Sequence, residues 1–275
     1  MRPPRTLPRL LTAALATALL LVGQAPPAVA STHPGPAAGR LFGTEVRRLP
    51  TDERVVAMTF NAGWDEAGLA KVLRVLRAEG VPATFFPTGQ FAERHPRAVR
   101  AMAAAGFGLG NHSYSHPRFG ELSRKEIAAE VLRADRAIRA AGRAEPLPFF
   151  RFPYSDTTPR GIAAVNALGF ADIEFTADTN GYLGAEGGMT VREAVRRALD
   201  ALVPGAVVQM HVGSFDERTP LDPAALPLVI DGVRARGYRF TDLRAFTGTP
   251  CPFTRSGGLT ERSPYAPYTH VTLCA

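Results

Sequence analysis

Three observations predict an α/β protein built as a distorted (β/α) barrel of about seven parallel strands. Apolar runs of strand length recur through residues 51–247, and each is followed by an amphipathic stretch of helix length. The runs are mostly continuous rather than alternating, as expected when both faces of a sheet are covered. Glycines stand where the helical stretches should stop. An open doubly wound sheet is the second choice. No G-x-G-x-x-G follows the first strand run, so a dinucleotide fold lacks its fingerprint.

In chain order, the strand runs are 55–60, 83–86, 107–110, 149–153, 170–176, 206–211 and 238–241. The helical stretches between and after them are 66–79, 91–105, 123–141, 159–168, 190–202 and 223–236. Ser123 with Glu126, and Thr190 with Glu193, have capping-box spacing, in which hydroxyl and carboxylate satisfy orphan N–H groups at a helix start. Gly80, Gly106, Gly169 and Gly237 each follow a helical stretch.

The flanks read differently. Residues 1–30 hold three Arg, no acid, and an apolar run from Leu10 to Val22, followed by Ala28 and Ala30 in the A-x-A pattern of a cleavage site. That is an export signal, with an uncleaved anchor as the alternative; the run is short for a span, which needs about 20 residues. Residues 31–50 read as a linker, 51–247 as the domain, and 248–275 as a tail. Cys251 and Cys274 are the only cysteines. In an oxidising compartment they pair as a disulfide; the alternative is two free thiols. A secreted or cell-wall-associated protein is expected, with no membrane span after cleavage. Oligomeric state has no signature here.

Composition narrows the class. Hydrophobic residues make up 45% and charged residues 21%, which excludes a disordered chain, a fibrous repeat and a multi-span membrane protein. Net charge is +7, and all basic residues except Lys71 and Lys125 are Arg. These Arg are interspersed with Asp and Glu rather than gathered in a stripe, which argues against nucleic acid. The mild positive charge suits an anionic surface such as a cell wall.

In folds of this kind chemistry sits at the carboxyl ends of the strands. That rule selects Asn61 and Asp65, His112 and His116, Arg151 and Tyr154, Asp178, and His211 before any motif is named. Three of the six histidines therefore fall on one rim. His112 and His116, four apart, can grip one ion, and Pro117 makes their segment a turn rather than a long helix. Read alone, His211 is a core histidine, Arg151 a structural salt bridge and Asp65 a helix cap.

Asn111-His112-Ser113-Tyr114-Ser115-His116-Pro117 resembles the second motif of the polysaccharide deacetylase family (carbohydrate esterase family 4, the NodB homology domain). Met58-Thr59-Phe60-Asn61 resembles its first motif, Pro82-Ala83-Thr84-Phe85-Phe86 its second strand, and Phe150-Arg151-Phe152-Pro153-Tyr154 its Arg-x-Pro-Tyr motif. Ala177-Asp178-Thr179 and Val208-Gln209-Met210-His211 resemble the fourth motif and the Leu-x-His motif. The resemblance covers about residues 51–247. It implies hydrolysis of N-acetyl groups on a polysaccharide, peptidoglycan or a chitin-like polymer, assisted by a divalent metal ion, usually zinc. His112 and His116 take the ligand positions, His211 the general acid, and Arg151 and Asp178 orient the catalytic groups, with Asn61, Tyr154 and Tyr182 beside them.

The first motif departs from the family, which has two adjacent Asp where this chain has Asn61 and Ala62. Asn cannot act as a base and Ala ligates nothing. Asp65, after Trp64, is the substitute acid, as third ligand or as base, with the helix cap still open. In the fourth motif, Asp178-Thr179-Asn180-Gly181-Tyr182 lacks the second Asp and has Tyr182 for Trp. Two alternatives remain: a carbohydrate-binding pseudoenzyme, and an esterase acting on O-acetyl groups of xylan-like glycans.

Overall fold

The computed structural model describes residues 41–247 apart from 215 and 217. The export signal, the first half of the linker and the pairing of Cys251 with Cys274 lie outside the described residues. Nine short strands and seven helices alternate among those described. The strands are β1 (Glu45–Val46), β2 (Val55–Ala62), β3 (Ala83–Pro87), β4 (Gly108–Leu109), β5 (Phe149–Phe150), β6 (Ala171–Ile173), β7 (Ala177–Asp178), β8 (Ala206–His211) and β9 (Arg239–Phe240). The helices are α1 (Leu69–Ala78), α2 (Gly89–Arg94), α3 (Pro96–Ala104), α4 (Arg124–Gly142), α5 (Pro159–Ala167), α6 (Val191–Asp200) and α7 (Asp222–Ala235).

All ladders are parallel. One sheet runs β4-β3-β2-β8-β7, with β9 beside the start of β2; the other runs β1-β6-β5. Isolated bridges, Asn111 with Phe150 and Arg48 with Ala206, join the two. The ring is thus the expected distorted (β/α) barrel, although its ladders do not close it continuously.

Three expectations need correction. Residues 41–50 are not linker: β1 pairs with β6, and Leu41, Val46 and Leu49 are buried in a core cluster. The helical stretch 91–105 is two helices, because Pro96 offers no N–H and His95 leaves helical dihedrals. The apolar run 170–176 is strand only at β6; β7 starts just after the run and pairs in the other sheet. The Ser123 capping box closes in both directions. At Thr190 only the hydroxyl half forms, since Glu193 turns to Arg196 instead.

Strand alternation separates the two faces. Val56, Met58, Phe60 and Ala62 of β2 pack outward, with Val208 and Met210 of β8, against the helices. Ala57, Val207 and Phe149 point inward with Phe86, Ala171 and Ile173. Each fully buried Phe contributes about 1.5–3 kcal/mol. Continuing the inward face by twos, β2 supplies Thr59 and Asn61, β8 supplies Gln209 and His211, and β5 leads to Arg151. The apolar barrel floor therefore gives way to a polar layer at the carboxyl ends.

Asp172 in β6 is a structural anomaly. It is fully buried, and neither carboxylate oxygen has a hydrogen-bond partner among the described residues. Burial first, then Glu174 and Glu45, push its pKa well up against the weaker pull of Arg151 and Arg47. The folded chain keeps this proton while the unfolded chain gives it up above about pH 4. Stability therefore falls as pH rises through that window. Asp172→Asn is expected to flatten the decline without abolishing it, because burial raises Glu174 as well. Thermal midpoints of both proteins at about pH 5 and about pH 8 check this.

Candidate active site

The His112–His116 segment is a turn, fixed from both sides. Asn111 donates to the Val131 carbonyl (2.9 Å) and accepts from Ser113 N (2.9 Å), and Ser113 Oγ accepts from His116 N (3.0 Å). From α4, Glu130 accepts from Tyr114 N, Ser115 N and the Ser115 hydroxyl. Ser113 and His116 are both left-handed, at φ +66° and +61°. Strain of this kind costs of order 1–3 kcal/mol each and gathers at functional sites. The two imidazole centroids stand 4.8 Å apart, nearly perpendicular.

His112 is fully hydrogen bonded, and its partners fix its tautomer. Nδ1 lies 2.9 Å from the Arg151 carbonyl, which can only accept, so Nδ1 carries the proton. Nε2 then presents a lone pair, and Asn61 Nδ2 lies 3.2 Å from it. The Asn61 amide cannot turn over. Its oxygen accepts from Arg151 Nη1 (3.0 Å), and its nitrogen also donates to Gln209 Oε1 (3.2 Å). Gln209 is held in turn by donating to Asp178 Oδ2 (2.8 Å).

Arg151 anchors the chain of bonds. It is fully buried and donates to the carbonyls of Ile173 and Glu174 and to Thr59 Oγ1, with its guanidinium 4.2 Å over the Phe86 ring. Burial lowers its pKa to about 10, so it stays charged at neutral pH. The expected salt bridge is absent among the described residues; a neutral amide stands where a carboxylate would. Burial also takes His112 well below its ordinary value and brings His116 to about 4, so both imidazoles are neutral at pH 7.

His211 sits at the end of β8 beneath the Tyr182 ring, with centroids 4.6 Å apart. Its Nδ1 faces two carboxylates, Asp222 at 3.5 Å and Asp178 at 4.0 Å. Asp222 was not flagged by the sequence. It accepts from the His211 backbone N (2.7 Å) and from Thr179 Oγ1 (2.6 Å), fully buried at the start of α7. Gly181 makes this approach possible, since a Cβ there would fall on the Asp222 carboxylate. In sequence Asp222 precedes Pro223 at a helix start, and an Asp there reads as an ordinary cap.

Asp65 does not join the imidazoles. Its Oδ1 accepts from Ala67 N (2.7 Å) and its Oδ2 from Ser214 N (2.8 Å), so it ties the β2 end to the segment after β8. The expectation of Asp65 as third ligand or base gains no support here: each oxygen accepts from a backbone N–H group, and Asp65 joins no cluster of three or more ligand residues among those described. It caps no helix either, since α1 begins at Leu69 after a Gly68 N-cap. Aromatic rings line the mouth. Trp64 lies 5.0 Å and Tyr154 4.6 Å from His116. Tyr154 is 58% exposed.

Fold and site together define a parallel (β/α) barrel with three imidazoles at the carboxyl ends of its strands. The chain belongs to the polysaccharide deacetylase family. The family model "Polysaccharide deacetylase" matches residues 48–173. A chitooligosaccharide deacetylase of Bradyrhizobium sp. (strain ANU 289) is 32% identical over 199 residues, covering 69% of this chain and 89% of the relative. A peptidoglycan-N-acetylglucosamine deacetylase of Bacillus cereus is 28% identical over 202 residues, covering 70% and 68%. Among solved structures, wild-type BA3943 from Bacillus anthracis, a CE4 family pseudoenzyme, aligns with TM-score 0.67 at 24% identity, covering 74% of this chain and 69% of that one. At that identity the likeness speaks for the fold alone.

The family is generally metal-dependent, so the donor set was tested for a divalent ion. It does not fit. No group of three or more His, Cys, Asp or Glu suited to an ion occurs among the described residues. A cation needs the lone pair of His112 Nε2, and an amide nitrogen that can only donate lies against it. Ala62 offers no oxygen, and the Asp65 carboxylate is turned to the Ala67 and Ser214 backbone N–H groups.

Proposed function

We propose that the chain is an exported polysaccharide deacetylase acting on N-acetylglucosamine polymers of a cell wall, with imidazole acid–base chemistry at its centre. The observation that carries this reading is the placement of His211, whose Nδ1 faces Asp178 and Asp222 while its ring lies under Tyr182 at the cleft. Amide hydrolysis stalls unless the leaving nitrogen is protonated, and an imidazole close to carboxylates at the strand end suits that role. His116, neutral at pH 7, can take a proton from an attacking water. With a pKa of about 4 it is a weak base, so slow turnover is expected. Tyr154 and Tyr182 supply faces on which sugar rings stack. Export to the cell surface is inferred from residues 1–30 of the sequence alone.

A second reading has its own observation. Asn61 and Ala62 leave the site without a carboxylate base, which favours glycan binding without turnover. Acetate release and binding should be measured together on chitooligosaccharides and peptidoglycan, with acetylated xylan as the ester control. Acetate from the amide substrates, slow but abolished by heat denaturation, is expected. Binding with no acetate from any substrate would replace the hydrolase with the binding protein.

A further inference from the structure

We propose that Arg118 and Tyr154 form a rim subsite that reads a carboxylate on the glycan, close to the sugar seated at His116. The proposal rests on the reading of the cleft as a polysaccharide site and specifies its substrate as acidic rather than neutral.

Arg118 follows the His116-Pro117 turn and is exposed. Its guanidinium carbon lies 4.7 Å over the Tyr154 ring, and that ring stands edge-on to His116 at 4.6 Å. Cation, phenol and imidazole thus form a row leading out of the cleft. Tyr154 is held there against its preference, in the left-handed region at φ +59° with Ser155 at +49°. Buried Glu174 holds that turn by accepting from Phe152 N (3.0 Å) and the Ser155 hydroxyl (2.8 Å). An exposed aromatic ring kept in a strained conformation suits a ligand platform better than a core.

The Arg118 side chain is exposed beside Tyr154, and its guanidinium makes no hydrogen bond or ion pair among the described residues. Among the described residues no carboxylate lies within ion-pair distance of Arg118. Asp156, on the neighbouring turn, is occupied by Gly120 N (2.7 Å). An exposed guanidinium with uncommitted N–H donors matches a carboxylate bidentately, which a neutral N-acetylglucosamine polymer cannot offer. An N-acetylated glycan whose alternate sugars carry a free lactyl carboxylate, as peptidoglycan strands stripped of their stem peptides do, can.

The test uses the full chain and three probes of equal length: a carboxylate-bearing N-acetylated oligosaccharide, the same oligosaccharide with its carboxyls reduced to alcohols, and a neutral N-acetylglucosamine oligomer. The wild type is expected to bind the acidic probe about tenfold more tightly than its reduced form. In Arg118→Ala that ratio should collapse to near one, and Arg118→Lys should restore only part of it. Equal wild-type affinity for the acidic and reduced probes would overturn the subsite while leaving the cleft reading intact. An Arg118→Ala variant that weakens both probes with the ratio preserved would overturn it too, by making Arg118 a mere prop for Tyr154. Failure of the wild type to bind any of the three would overturn the cleft reading itself.

Discussion

Acetate release by His211→Ala is expected to fall by roughly 10²–10⁴-fold, the range lost with a positioned general acid. The leaving nitrogen of an amide departs as amine only once protonated. His116 and His112 are held neutral by burial and serve poorly as donors. His211 alone of the three has carboxylates facing its Nδ1, Asp222 at 3.5 Å and Asp178 at 4.0 Å. Glycan affinity should fall far less than the rate, because Tyr154 remains in place. The rate is measured in the wild type and again in an Asn61→Asp background, with circular dichroism confirming that each variant folds. A rate loss below about threefold in both backgrounds would remove His211 from the chemistry.

The second large effect is a gain. Asn61→Asp is expected to give the chain a zinc site and to raise acetate release by roughly 10²-fold. The present amide satisfies everything around it: oxygen toward Arg151, nitrogen toward His112 Nε2 and Gln209 Oε1. A carboxylate keeps the Arg151 contact but turns an oxygen toward the His112 lone pair and the Gln209 oxygen. Three lone pairs then face one another, and Gln209 cannot rotate without giving up Asp178. A cation or a proton must come between them. His116 stands within one ring contact of that position. Metal analysis of the purified variant, with acetate release before and after chelation, checks both halves.

Much of this architecture was legible in the chain. Continuous apolar runs marked β2, β3 and β8 because those strands are covered on both faces, and the rule that chemistry sits at carboxyl ends singled out Asn61 and His211, while Gln209, one step further down the same inner face, emerged only from the structure. β1 was not legible, because Glu45–Val46 is two residues long and follows a Pro- and Gly-rich stretch; only its pairing with β6 reveals it. Of the site, the histidines and Arg151 were readable from motif spacing. The tie from Asp65 to Ser214 was not legible, because adjacency in sequence says nothing about which backbone N–H groups a carboxylate will meet, and Ser214 lies far along the chain. Asp222 escaped for the same reason: its partners, Thr179 and His211, come from other elements, and its Asp-Pro context carries an ordinary helix-start signature. Asn61 looked like a simple loss. The structure shows instead a donor inserted where a ligand's lone pair would have been free.

Zinc titration of the wild-type chain by calorimetry, paired with Asn61→Asp under the same buffer, tests that last point most directly. The wild type should show no tight site, and the variant should take up about one ion per chain, at least roughly 10²-fold more tightly. One equivalent bound tightly by the wild type, and lost in His112→Ala, would contradict it: the Asn61 amide would then not be what holds the cation out.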